Sequence, residues 1–226
     1  MRDMERAETR YPMNLAETAS IFFETVVGDR LIDMASSPQE KLRYAWYDAE
    51  SAAAFLLNIP TRFDFECRMH EARDKGETLT PAFLKKAMDE AWQGRYGDTL
   101  SVMDEMFWAS KLHFHMTGVQ FYNFPYTFGY LFALGVYAQQ EIKGQDFHQA
   151  YVDLLRDTGR MTAEEVVQKH LKCSIEDPEF WRGYVVLLKS ICTMCLYMCL
   201  YMCPCMSLYV SLYARVCSTW QKHLLL

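Results

Sequence analysis

Two stretches of the chain hold side chains whose types and spacing suit chemistry. In the first, Asn14–Glu24, the residues Glu17, Ser20, Glu24 and Gly28 form one stripe at helical spacing, with two carboxylates about two turns apart. A second stripe, Leu15, Ala19, Phe22 and Val26, widened by Ala16, Phe23 and Val27, is apolar and reads as a buried face. An acid so placed caps a helix, pairs with a base or holds a metal. The plainest of these readings is a capping box, with Asn14 as N-cap and Glu17 three residues on. In the second stretch, His113-Phe114-His115 precedes Tyr122, Tyr126 and Tyr130, which recur every four residues and so share one face of a helix. Buried tyrosine hydroxyls need partners. Three on one face mark either the wall of a cleft or an aromatic packing face whose hydroxyls reach water. His115, His148 and His170 are expected in surface or core roles.

The elements that must position these groups read as helices. Ser37-Pro38-Gln39-Glu40 is an N-cap, a proline in the first turn and an acid three residues after the cap; the helix it opens should run to about Leu57 and be closed by Pro60. A further helix should start at Phe63-Asp64-Phe65-Glu66 and end near Gly76, and another should open at Thr80-Pro81 and fade by Gly94. Thr162-Ala163-Glu164-Glu165 is a capping box, and Asp177-Pro178 opens a helix bearing Phe180, Trp181 and Tyr184. No run alternates with period two, and no Asn-Gly or Asp-Gly turn occurs. The expected fold is therefore all-α, one multi-helix domain over 1–189.

Composition narrows the function classes. A chain of 226 residues that is 51% hydrophobic and 15% aromatic can bury a substantial core and does not read as disordered. A net charge of -6 offers no basic surface, so nucleic acid is not an expected partner. Met1 to Arg10 is charged and lacks the apolar stretch of a signal peptide. Of eight cysteines only Cys67 and Cys173 precede residue 190, which reads as a reduced, cytoplasmic body without a disulfide framework.

Residues 190–226 differ from the body. They form a tail rich in Cys, Tyr, Met and Leu, in which Cys195-Leu196-Tyr197-Met198 repeats as Cys199-Leu200-Tyr201-Met202, and 190–214 carries no charge. Its length permits one membrane span, which Pro204 spoils. Cys192-x-x-Cys195 is half of a zinc ribbon without its matching pair. The remaining reading is a translated nucleotide repeat.

The string Tyr11-Pro12-Met13-Asn14-Leu15-Ala16-Glu17-Thr18-Ala19-Ser20-Ile21-Phe22-Phe23-Glu24 resembles the segment that carries the third zinc ligand in the oligoendopeptidase F family, a branch of the thimet-oligopeptidase-like zinc metallopeptidases. The resemblance extends through Ile59–Glu66, Glu71-Ala72-Arg73, the His113 and tyrosine stretch and Tyr151–Trp181, about residues 1–188. It implies the C-terminal part of a catalytic domain, with Glu17 as zinc ligand and Glu24 supporting it without touching the metal. His113, Tyr122, Tyr126 and Tyr130 would face the carbonyl of a peptide substrate and stabilise the oxyanion formed on attack by water. Such a centre also needs the two histidines and the general base of an H-E-x-x-H helix. The one His-Glu pair, His70-Glu71, has no second histidine after it. The chain as given is therefore expected to be inactive by itself. The competing expectations are a non-catalytic helical interaction protein and a tail-anchored membrane protein.

Overall fold

A computed structural model describes residues 4–181, and these contain helices and turns but no strand. The elements are α1 (Thr18–Met34), α2 (Pro38–Ala53), a π-helical turn (Ala54–Asn58), α3 (Ile59–Asp74), α4 (Pro81–Tyr96), α5 (Phe124–Lys143), α6 (Phe147–Asp157) and α7 (Ala163–His170), with short 3-10 turns between them. The expected all-α class holds over this range. The boundary expected at 189/190, Tyr184 and the whole tail fall outside the described residues.

Capping chemistry places several helix starts where the sequence puts them. The Ser37 hydroxyl accepts from Glu40 N–H, and the Glu40 carboxylate reaches back to Ser36 N–H. Thr80 caps α4 through Phe83 N–H, and Thr162 and Glu165 form a complete capping box on α7. Asp177 accepts from Glu179 N–H and opens the last described helical turn at 178–181.

Elsewhere tertiary structure overrides the local signals. Asn14 is not an N-cap. Pro12 opens a tight 3-10 turn over Met13–Leu15, α1 starts at Thr18, and Glu17 itself occupies the capping position without a side-chain cap bond. Pro60 does not close a helix, and none starts at Phe63. The chain runs from Pro38 to Asp74 as helix, passing Pro60 by widening into the π turn, where Ile59 N–H bonds the Ala54 carbonyl five residues back. Pro60 has no N–H to give the Phe55 carbonyl five residues before it, and the Thr127 hydroxyl bonds that carbonyl at 2.6 Å. The Gly94 boundary is also displaced: α4 passes through it and ends at Tyr96, where Gly97 takes φ 57.

The chain divides into two compact units. Within the described residues, one comprises the chain up to Ala49 together with the chain from Phe128; the other is Glu50–Thr127. In the first, Phe22 stacks on Tyr151 with ring centroids 4.2 Å apart and packs edge-on to Tyr137. Leu131 to Leu134 of α5 and Val166 and Val167 of α7 are buried in the same unit. Helix α1 shows two faces. Thr18, Ile21, Phe22 and Ile32 are buried, whereas Phe23, Val27, Leu31 and Met34 are exposed, so Phe23 and Val27 do not widen the buried stripe as expected. In the second unit, Phe65 of α3 packs with Ala87, Met88, Ala91 and Trp92 of α4. The Arg95 guanidinium clasps Asp64 through two bonds of 2.6 and 2.8 Å.

Candidate active-site groups

In the Glu50–Thr127 unit, His113 lies in the 3-10 turn Leu112–Phe114, and Tyr126 sits in the first turn of α5. His113 Nε2 and the Tyr126 hydroxyl approach to 3.5 Å, the length of a loose hydrogen bond of the kind that tightens when substrate arrives. The His113 and Tyr122 rings lie nearly parallel, 17° apart with centroids at 6.3 Å, and Tyr122 meets Tyr126 edge-on at 5.7 Å. Tyr122 is not on the helix. It occupies the turn before α5, so only Tyr126 and Tyr130 keep the helical spacing expected for all three.

The surroundings of His113 favour its neutral form. Burial, with Arg62 and Lys111 nearby, pushes its pKa below the ordinary value, and Glu66 opposes this more weakly. Its Nδ1 is buried with no hydrogen-bond partner among the described residues. A neutral imidazole beside a phenol can donate to a developing oxyanion. Arg62 donates to Asn58 Oδ1 at 2.8 Å and lies over the Phe107 ring. Burial moves the Tyr96 hydroxyl up to about 12, against the smaller opposing effects of a hydrogen bond with Asn58 and the charge of Arg62.

One buried acid was given no role from the sequence. Glu66 is 2% exposed; its two carboxylate oxygens accept from Phe121 N–H at 2.7 Å and from the Asn123 side chain at 3.1 Å. Phe121 has φ +58, the left-handed region that a bulky residue rarely enters. No local signal marks Glu66, because its partners Phe121 and Asn123 lie 55 and 57 residues away.

In the other unit, Glu17 is half buried at the start of α1, and its carboxylate accepts from Ser20 Oγ at 3.0 Å. Its backbone lies against α5 at Gly129. A Cβ built there would stand 3.1 Å from Glu17 Cβ and 3.2 Å from its carbonyl carbon, tight contacts that a side chain could take only by a small shift of Glu17. Tyr130, the next residue, is buried. Glu24 is exposed two turns further along α1. His115 and His148 are exposed, and His170 bonds Asp157 at 2.8 Å, in keeping with surface and packing roles.

The zinc centre implied by the resemblance needs three protein ligands around a tetrahedral ion. Among the described residues no three His, Cys, Asp or Glu side chains are grouped closely enough to hold a metal ion. Glu17 by itself does not make that site, so the residues present do not fit the metal.

Residues 2–184 match the profile of Peptidase family M3. The chain is 30% identical over 166 residues to the chromosomal oligoendopeptidase F of Lactococcus lactis subsp. cremoris, covering 70% of this chain and 26% of that protein. It is 23% identical over 161 residues to oligopeptidase PepF of Bacillus subtilis, covering 70% and 24%. It thus spans about a quarter of the length of the curated relatives it matches. No solved structure matches at the same stringency. With a profile match over residues 2–184 and a relative 30% identical over 166 residues, the chain belongs to Peptidase family M3.

Proposed function

We propose that this chain is the C-terminal part of a zinc metalloendopeptidase of the oligoendopeptidase F type, which hydrolyses internal bonds of short peptides. The observation that carries the reading is the His113, Tyr122 and Tyr126 cluster, with the His113–Tyr126 approach of 3.5 Å, inside a chain that matches the family over residues 2–184. His113 and Tyr126, with Tyr122 and Tyr130 as further candidates, orient the substrate carbonyl and donate to the oxyanion as charge develops. Glu17 contributes one carboxylate to the metal centre of the intact enzyme, and Glu24 supports it.

The chain by itself is inactive in this reading, because neither the two histidines nor the general base of the family's metal helix occurs in its sequence. Purified chain should take up no stoichiometric zinc in equilibrium dialysis. A chimera of the Lactococcus lactis enzyme carrying these residues in place of its own matching stretch should cleave a quenched-fluorescence peptide, and Glu17→Gln should abolish both its zinc and its cleavage. Tight zinc binding by the chain alone, lost in Glu17→Gln, would overturn the account of an incomplete site. A cytoplasmic, reduced setting is proposed with it, supported by the free thiols of Cys67 and Cys173. No described helix is long and apolar enough to cross a membrane, and the proposed tail domain at 190–226, with 190–214 as its one possible membrane contact, stands apart from this reading. The alternative of a non-catalytic interaction protein draws its support from the exposed Phe23, Val27, Leu31 and Met34 on α1.

A further inference from the structure

We infer that Glu66 is a positioning residue for the carbonyl-binding cluster: its buried carboxylate fixes the left-handed turn at Phe121 and thereby sets Tyr122 and Tyr126 against His113. The inference rests on the reading of those three groups as substrate-facing.

A carboxylate shut away from water must be compensated by hydrogen bonds, and both oxygens of Glu66 are used on one short segment, Phe121 N–H and Asn123 Nδ2. That segment needs holding. Phe121 sits at φ +58, where its Cβ crowds the backbone, and an unassisted chain would relax to a negative φ. A turn relaxed there would re-aim Tyr122, the next residue, and shift the start of α5, where Tyr126 N–H bonds the Asn123 carbonyl at 3.2 Å. The turn is clamped from its sides as well: the Phe121 ring stacks on His70 at 4.7 Å and meets Phe63 at 5.8 Å. These ring contacts hold Phe121 in place but do not satisfy its N–H, so the carboxylate is what determines the backbone conformation. Asn123 is fully buried, and its Oδ1 has no partner among the described residues. Glu66 and His113 also line one cavity of about 410 Å³.

The test uses the full chain and reads His113 by NMR, through its imidazole titration and its ring contacts with Tyr122 and Tyr126. Glu66→Leu should keep its helical circular dichroism while His113 loses those contacts; the contacts decide, because loss of the Glu66 charge by itself lowers the His113 pKa. A folded Glu66→Leu protein with unchanged ring contacts overturns the inference, whatever its titration. Should that variant fail to fold, the exchange Glu66→Gln with Asn123→Asp decides. There the Gln oxygen accepts from Phe121 N–H and its amide donates to the new carboxylate, so contacts and titration should match the unaltered chain. An exchange protein that does not fold, or that folds with His113 detached, overturns the inference too. In the active chimera, a detached His113 with undiminished cleavage would sink the proposed role of the cluster while leaving the positioning by Glu66 intact.

Discussion

The cluster around His113 and the start of α1 around Glu17 carry the proposed chemistry in two different ways. The His113 cluster is braced from within its own unit: a buried carboxylate holds the turn before Tyr122, and the rings of His113, Tyr122 and Tyr126 pack on one another. Glu17 is placed by backbone, through close packing on Gly129, while its carboxylate is half exposed and accepts from a neighbouring serine. Along the same helix four large apolar side chains face outward. Under the proposed function, the difference would separate groups that orient a substrate, which need rigid neutral surroundings, from a metal ligand, which acquires its geometry when the other ligands are present.

The largest expected effect tests the two faces of α1. Phe22 is 3% exposed and stacked on Tyr151, whereas its neighbour Phe23 is 56% exposed. Phe22→Ala should cost about 3–5 kcal/mol in chemical denaturation. Phe23→Ser, with Val27 and Met34 made polar, should change stability by less than about 0.5 kcal/mol and reduce association in light scattering. Comparable losses for the two phenylalanines would mean that α1 has no outward apolar face.

Gly129→Ala probes how Glu17 is placed. The added Cβ meets the backbone of Glu17 and Ile21 Cδ1 at 3.1–3.4 Å. The expected cost is about 1–3 kcal/mol, as for overpacking of a close contact, and the chimera should lose zinc affinity with it. Unchanged stability and unchanged metal content would remove Gly129 from the account.

Asp48 gives a smaller effect, confined to pH. Burial and the neighbouring Asp29 hold its pKa up to about 6, against 3.8 when unperturbed. A carboxyl whose folded pKa is raised stabilises the fold at pH below about 4, and that stability is lost as pH rises through 6. Asp48→Asn should therefore raise stability at pH 7 by about 1 kcal/mol, once solvent screening of a half-exposed group is allowed for, and flatten the pH profile between 4 and 6. A melting temperature of the Asn variant that parallels the parent across that range would contradict the buried-acid reading.

What the sequence revealed follows from the range of each interaction. Capping acts over three residues, so the box of Thr162 with Glu165 and the Thr80 cap before Pro81 are legible in the chain and present in the fold. Pro60 misleads because its effect depends on Thr127, which serves the stranded Phe55 carbonyl from 67 residues beyond the proline. Asn14 misleads because Pro12 starts a 3-10 turn that uses up the space for a capping box. Of the candidate site, His113 and the tyrosines were visible as residue types in a row, but Tyr122 leaves the helix through the turn at Phe121. Glu66 was hidden because its partners lie 55 and 57 residues away, and an isolated acid on a helix is ordinarily solvated.

The central claim is that His113 and Tyr126 stabilise charge on the substrate carbonyl rather than merely pack. Steady-state kinetics of Tyr126→Phe in the active chimera test it most directly. The account predicts kcat lower by about 10- to 1,000-fold with KM within about twofold, the signature of an interaction made in the transition state. An unchanged kcat, or a rise in KM alone, would contradict it and leave the tyrosines as a packing face.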